Sequence, residues 1–110
     1  MSTNKSVFQT SHSLSEIVEE SWLKPVIIFK YSSDCNSSAL LRTRLKKALE
    51  ENIISVPIYL ITVQKQKALS ENISKHFDIR HESPQIIILN KGHVTYTAHH
   101  GNIKIEDFVF

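Results

Sequence analysis

Apolar positions change period several times along the chain. Val26, Ile27, Ile28 and Phe29 form a continuous, largely β-branched run, which predicts a strand covered on both faces, as parallel strands are. Residues 56–63 (VPIYLITV) repeat that pattern, with Pro57 near the start, where a missing N–H is tolerated. Between the two runs Leu41, Leu45, Ala48 and Leu49 recur at helical spacing, and Lys46, Lys47, Glu50 and Glu51 fall on the opposite, solvated face. This predicts a helix over 36–51. Strand, helix and strand in that order make a βαβ unit whose right-handed crossover sets the two strands parallel.

The flanking segments complete the pattern. SLSE at 13–16 has the form of a capping box, with Ser13 accepting from the first turn and Glu16 reaching back. Leu14, Ile17, Val18 and Trp22 follow as one apolar stripe, which places Trp22 in the core, before Pro25 stops the helix. Leu69, Ile73 and Phe77 predict a third helix ending near Asp78. Residues 85–89 and 93–99 read as strands joined by NKG, with Gly92 supplying positive φ for a tight hairpin. A final amphipathic helix is expected from Asn102, using Ile103, Ile105, Phe108 and Val109. The sum is an α/β fold: a four-stranded mixed sheet, βαβ then ββα, flanked by helices, with an extra N-terminal helix.

Composition narrows the class. The 110 residues, 41% of them hydrophobic with 2 Gly and 3 Pro, suffice for one compact domain and argue against disorder. Thirteen Lys and Arg against eleven Asp and Glu leave +2, too small and dispersed a surplus to imply nucleic acid. No segment has the length needed to span a bilayer, and the polar opening MSTNKSVFQTSHS lacks the apolar run of a leader. The chain is therefore read as cytoplasmic, without a membrane partner.

The single cysteine excludes an intramolecular disulfide and a multi-thiolate zinc site. It leaves a packing residue, an intermolecular link or a reactive thiol. Cys35 falls in the loop after the first strand, where a helix begins, and unpaired N–H groups with the helix dipole favour a thiolate there. Inert cysteines sit on apolar stripes, whereas Cys35 is flanked by Ser32, Ser33, Asp34, Asn36, Ser37 and Ser38. The reactive thiol is the reading that fits. Of the six histidines, His76 and His81 are five apart and His99 and His100 adjacent. Adjacent residues on a strand point to opposite faces, so no metal site is expected.

A helix-opening cysteine after a buried strand, SP at 83–84 before the third strand and NKG in the hairpin together resemble the thioredoxin fold. VIIFKYSSDCNSSA, FDIRHESPQIIILNKGHVTYTAHHGNI and the chain length are similar to the monothiol bacilliredoxins of the bacillithiol system. The resemblance implies a single thioredoxin-like domain with a cis Ser83–Pro84 bond facing the sulfur. Its activity would be removal of bacillithiol from protein mixed disulfides, with Cys35 as nucleophile and Ser38 as the serine of a C-P-x-S type motif. The partners implied are bacillithiolated client proteins and a low-molecular-weight thiol, bacillithiol itself; a monomer is expected.

Ser38 stands where dithiol thioredoxins carry the resolving cysteine, and VIIF lacks their buried acid. Two positions bear on reactivity. Asn36 replaces the family's proline, which would preorganise the first turn. Asp34 is placed to cap the helix, competing with the thiolate for amides and raising the thiol pKa. Ser37 completes the active-site stretch. The backbone of Ser83 is expected to pair with an extended ligand, and Arg42, Arg80 and His81 are candidates to attract bacillithiol's carboxylates. Rival readings are a redox-silent thioredoxin-like adaptor and an iron-sulfur scaffold of the monothiol glutaredoxin kind.

Overall fold

The computed structural model describes residues 7–108. Its elements run α1 (Leu14–Ser21), β1 (Val26–Tyr31), α2 (Asn36–Glu50), β2 (Ile58–Thr62), α3 (Lys67–Phe77), β3 (Gln85–Asn90) and β4 (His93–His99), then two 3-10 turns at His100–Asn102 and Ile105–Phe108. The sheet order is β2-β1-β3-β4. β1 lies parallel to β2 and antiparallel to β3, and β4 returns antiparallel to β3. The arm before α1 adds a parallel bridge at the β2 edge, with Gln9 N–H donating to Ile58 O (2.8 Å) and Leu60 N–H to Gln9 O (3.0 Å). An open strand edge is thereby partly covered.

Strand alternation divides the core into two layers. Ile27 and Phe29 face α2 through Leu41, Leu45, Ala48 and Leu49, with Phe108 closing that layer. Val26 and Ile28 face α1 and α3 through Ile17, Leu69 and Ile73. Lys46, Lys47, Glu50 and Glu51 lie on the exposed side of α2 and just beyond it, as the pattern predicts.

Three local expectations are corrected. Trp22 is 59% exposed, because α1 ends at Ser21 and the buried line is completed by Ile17 and Ser21. The capping box closes through a third residue: Ser13 Oγ accepts from Glu16 N–H (3.4 Å), while the Glu16 carboxylate accepts from Ser11 Oγ (2.7 Å). The final α-helix is replaced, among the described residues, by the two 3-10 turns; Val109 lies outside them. Ile103 and Ile105 are two apart, a spacing that cannot share an α-helical face, and extended backbone at Ile103 lets both pack on the α2 layer.

The hairpin turn docks on the end of α1. Lys91 N–H donates to Ser21 O (2.7 Å) and Gly92 N–H to Ser21 Oγ (3.0 Å), and both turn residues have positive φ, 53° and 78°. A Cβ added at Gly92 would stand 3.2 Å from Trp22 Nε1, an exposed ring that can yield. Backbone strain is thus the main cost of a side chain there. Gly92→Ala is expected to lower stability by about 1–2 kcal/mol. Adding Trp22→Ala should not restore it, as compared by urea midpoints at unchanged slope.

Candidate active site

β1 ends at Tyr31 and the chain turns so that Cys35 N–H donates to Ser32 O (3.3 Å). Ala39 N–H then donates to Cys35 O (3.1 Å), making Cys35 the N-cap of α2, with extended backbone (φ −118°, ψ 120°). No side chain caps this helix. Cys35 is half-buried, and its sulfur is the group that faces the open amides of Ser37 and Ser38. The Ser38 N–H and hydroxyl hold the thiol below its ordinary pKa; desolvation opposes them, and the Ser37 N–H and hydroxyl add to them. Such a thiol carries more thiolate at neutral pH, the form that attacks disulfides.

Asp34 does not cap the helix, contrary to expectation. Its carboxylate accepts from Gln64 Nε2 (3.4 Å) and its N–H donates to Ser32 Oγ (3.3 Å), both away from α2. Gln64, just after β2, clamps the loop. Its Oε1 accepts from Ser33 N–H (3.1 Å), and its Nε2 also donates to Ser32 Oγ (2.7 Å). From the helix side, the fully buried Ser38 Oγ accepts from Ser32 N–H (3.2 Å), leaving its proton for the sulfur. Gln64 was not foreseen as a site residue. The signal was its place one residue past the apolar run of β2, since parallel pairing brings that point beside the end of β1.

The opposite wall is the segment before β3. The Ser83–Pro84 peptide bond is cis, and Pro84 is buried. A groove runs between α2 and this wall, lined by Ser37, Leu41 and Arg44 on one side and by Pro84, His100 and Ile103 on the other. The first turn of α2 and Pro84 thus share one surface. Asn36 is exposed at the start of α2. Arg42 lies over the Tyr31 ring, 5.2 Å from its centroid. Arg80 is 92% exposed, its Nε 3.9 Å from the Glu82 carboxylate. The cation lining the groove is Arg44, which the sequence reading passed over.

Behind this wall stands a buried charge. Lys30 is fully buried in β1, and its Nζ donates to Ser70 O (2.9 Å) and Ser74 Oγ (2.7 Å) of α3 and lies 3.2 Å from His81 Nδ1. Burial lowers the Lys30 pKa to about 8, so the ammonium is mostly charged at neutral pH. Burial and then the Lys30 charge lower that of His81, which fits a neutral ring accepting at Nδ1. His81 is thereby tied to β1 and α3, three residues before Pro84. Strand alternation places Lys30 on the face of Val26 and Ile28, which is the signal that would have marked it as buried.

Sheet, helix-capping cysteine and cis-proline wall together define a thioredoxin-fold protein of the thiol oxidoreductase class. A family model described as monothiol bacilliredoxin BrxC matches residues 6–108, and the chain belongs to that family. A solved thioredoxin-fold protein assigned as an oxidoreductase is 26% identical, with a TM-score of 0.77, covering 91% of this chain and 88% of its own. Thioredoxin from Trypanosoma brucei brucei (12% identity, TM-score 0.73, covering 93% and 86%) shares the fold. So does a point mutant of Halobacterium salinarum thioredoxin (13%, 0.72, covering 97% and 88%). Among the described residues no helix is long and apolar enough to cross a membrane.

Two measurements follow from this geometry. Ser38→Ala is expected to move the pH profile of Cys35 alkylation by iodoacetamide to higher pH, since a donor to the thiolate is lost. It should also cost about 1–3 kcal/mol of stability, because Ser32 N–H loses its buried acceptor. An unchanged alkylation profile would remove Ser38 from the account of the thiolate.

For Lys30, the folded-state pKa lies below the unfolded one, about 8 against 10.5. Below about pH 8 both states hold the proton and the folded state bears the full desolvation cost. Between about pH 8 and 10.5 the folded chain releases it first, so stability rises with pH, by about 3 kcal/mol at most. Urea unfolding from about pH 7 to about pH 10 should show this rise in wild type relative to Lys30→Met. Parallel curves would contradict it.

Proposed function

We propose that this protein removes bacillithiol from mixed disulfides on client proteins. The observation that carries the reading is the uncapped start of α2, where Cys35 meets the Ser37 and Ser38 donors. A cysteine in that position, with serine in the place of a resolving thiol, can begin a disulfide exchange and cannot finish one. Membership of the monothiol bacilliredoxin family supports bacillithiol as the thiol exchanged.

The Cys35 thiolate attacks the bacillithiol sulfur of the client mixed disulfide along the disulfide axis. The client–bacillithiol S–S bond breaks, a Cys35–bacillithiol disulfide forms, and the client sulfur departs as thiolate and takes a proton from water. No net oxidation has occurred, since one disulfide replaces another. A second low-molecular-weight thiol then attacks the adduct, restores Cys35 and leaves as the small-molecule disulfide. The Ser83 backbone at the cis-proline wall pairs with the incoming disulfide segment. Arg44, in the groove beside Ser37, attracts its carboxylates.

Incubation with a bacillithiolated client, followed by intact mass, tests the reading. The expected result is one bacillithiol adduct on wild type, none on Cys35→Ser, and free client thiol released in equal amount. Transfer should be at least about tenfold slower from the same client carrying glutathione, a preference of about 1.4 kcal/mol. No adduct at neutral pH would overturn the exchange and favour an adaptor role, and brown protein after iron and sulfide loading would favour a cluster scaffold.

A further inference from the structure

The far rim of the groove gathers three donor side chains from two separate segments, Glu82 of the cis-proline wall and His99 with His100 at the end of β4. Alternation along a strand argues against chelation by adjacent histidines, but β4 stops at His99. His100 adopts left-handed backbone (φ 50°), its N–H donating to Pro84 O (3.1 Å), and this swings the second ring back beside the first. The two Nδ1 atoms stand 3.1 Å apart with the rings nearly perpendicular, at 87°. Glu82 Oε1 lies 3.9 Å from His100 Nδ1, and one ligand atom from each of the three residues falls within 4.8 Å of the others.

These separations approach those of a metal site. Around tetrahedral zinc with bonds near 2.0–2.1 Å, ligand atoms are about 3.3 Å from one another. Two facing Nδ1 atoms at 3.1 Å cannot both carry protons, so at least one lone pair already points into the gap. Two neutral imidazoles and a carboxylate are donors suited to zinc-class ions, and three protein ligands leave a fourth position open to solvent or ligand.

We propose that Glu82, His99 and His100 form a binding site for a divalent transition metal ion of the zinc class at the rim of the groove. Because His100 and Pro84 line that groove, an ion there ties the end of β4 to the wall facing α2 and adds positive charge beside it. Anionic disulfide substrates would meet that charge on approach. The site stands on the geometry of these three residues and does not depend on the exchange reaction proposed above.

Zn2+ alone, titrated calorimetrically into full-length Cys35→Ser protein, tests the site with the competing thiol removed. One ion per chain is expected, with micromolar affinity. His100→Asn removes the imidazole and keeps a residue that tolerates left-handed backbone, and His99→Gln keeps a polar strand end. Each should weaken binding at least tenfold (~10-fold, as for lost metal-site partners), with unchanged far-ultraviolet circular dichroism. His76→Gln, on α3, should bind as the parent does. Absence of saturable binding would overturn the proposal, as would equal affinities in the His100→Asn and His76→Gln proteins.

Discussion

The constraint from which the rest follows is the complete burial of β1. Its residues 26–30 have no exposed surface, with β2 on one side, β3 on the other and helices over both faces. A strand so enclosed needs two covering layers, and a chain of this length can supply the first only by crossing over with α2 before returning as β2. That crossover starts at the carboxyl end of β1, which is where Cys35 lies. The position of the thiol is thus a by-product of covering the strand, and the loop that carries it is fixed at both ends by the sheet and by α2.

Within that strand, one charged residue interrupts the apolar order. A buried ammonium is costly unless its protons are accepted, and Lys30 meets that condition with a carbonyl, a hydroxyl and an imidazole. Its sheet partner across β3 is Gln85, whose Nε2 donates to Arg80 O (2.9 Å). The carboxyl end of β1 therefore has polar side-chain cross-links inside its apolar packing. They join β1, α3 and residues 80–85, so the cis-proline wall is referenced to the same strand that presents the cysteine. Two walls attached to one strand are positioned relative to each other, as a nucleophile needs if its target is to approach along the disulfide axis.

What could be read in the sequence follows from which forces are local. Continuous apolar runs, helical spacing and a hairpin glycine act over a few residues, and the strands, helices and crossover they predict are those observed. Trp22 and the C-terminal segment departed because helix ends are decided by competing partners: Ser21 is claimed by the hairpin turn, and Ile103 by the α2 layer. The strand-to-helix boundary and its polar flanks led to the cysteine, and the resemblance led to the cis bond. Gln64, Arg44 and the Lys30–His81 link were not read, since each is a contact between segments more than thirty residues apart or a choice of face. The side-by-side placement of His99 and His100 escaped for a related reason, because one left-handed residue cancels the alternation expected along a strand.

The replacement of the family's proline by Asn36 takes on a definite meaning in this geometry. With Cys35 as N-cap, Asn36, Ser37 and Ser38 are the first three helical positions, and a cap is served by the amides of the second and third. The groups that stabilise the sulfur are those of Ser38 and Ser37, and Asn36 is not among them. Proline at 36 would delete an N–H that the thiolate does not use, so its absence leaves the electrostatics of the sulfur intact and changes only the freedom of the first turn. That turn is held instead by Ser38, whose hydroxyl accepts from Ser32 and faces the sulfur. The residue that forbids an internal disulfide is therefore also the one that keeps the lone thiol in place and ionisable.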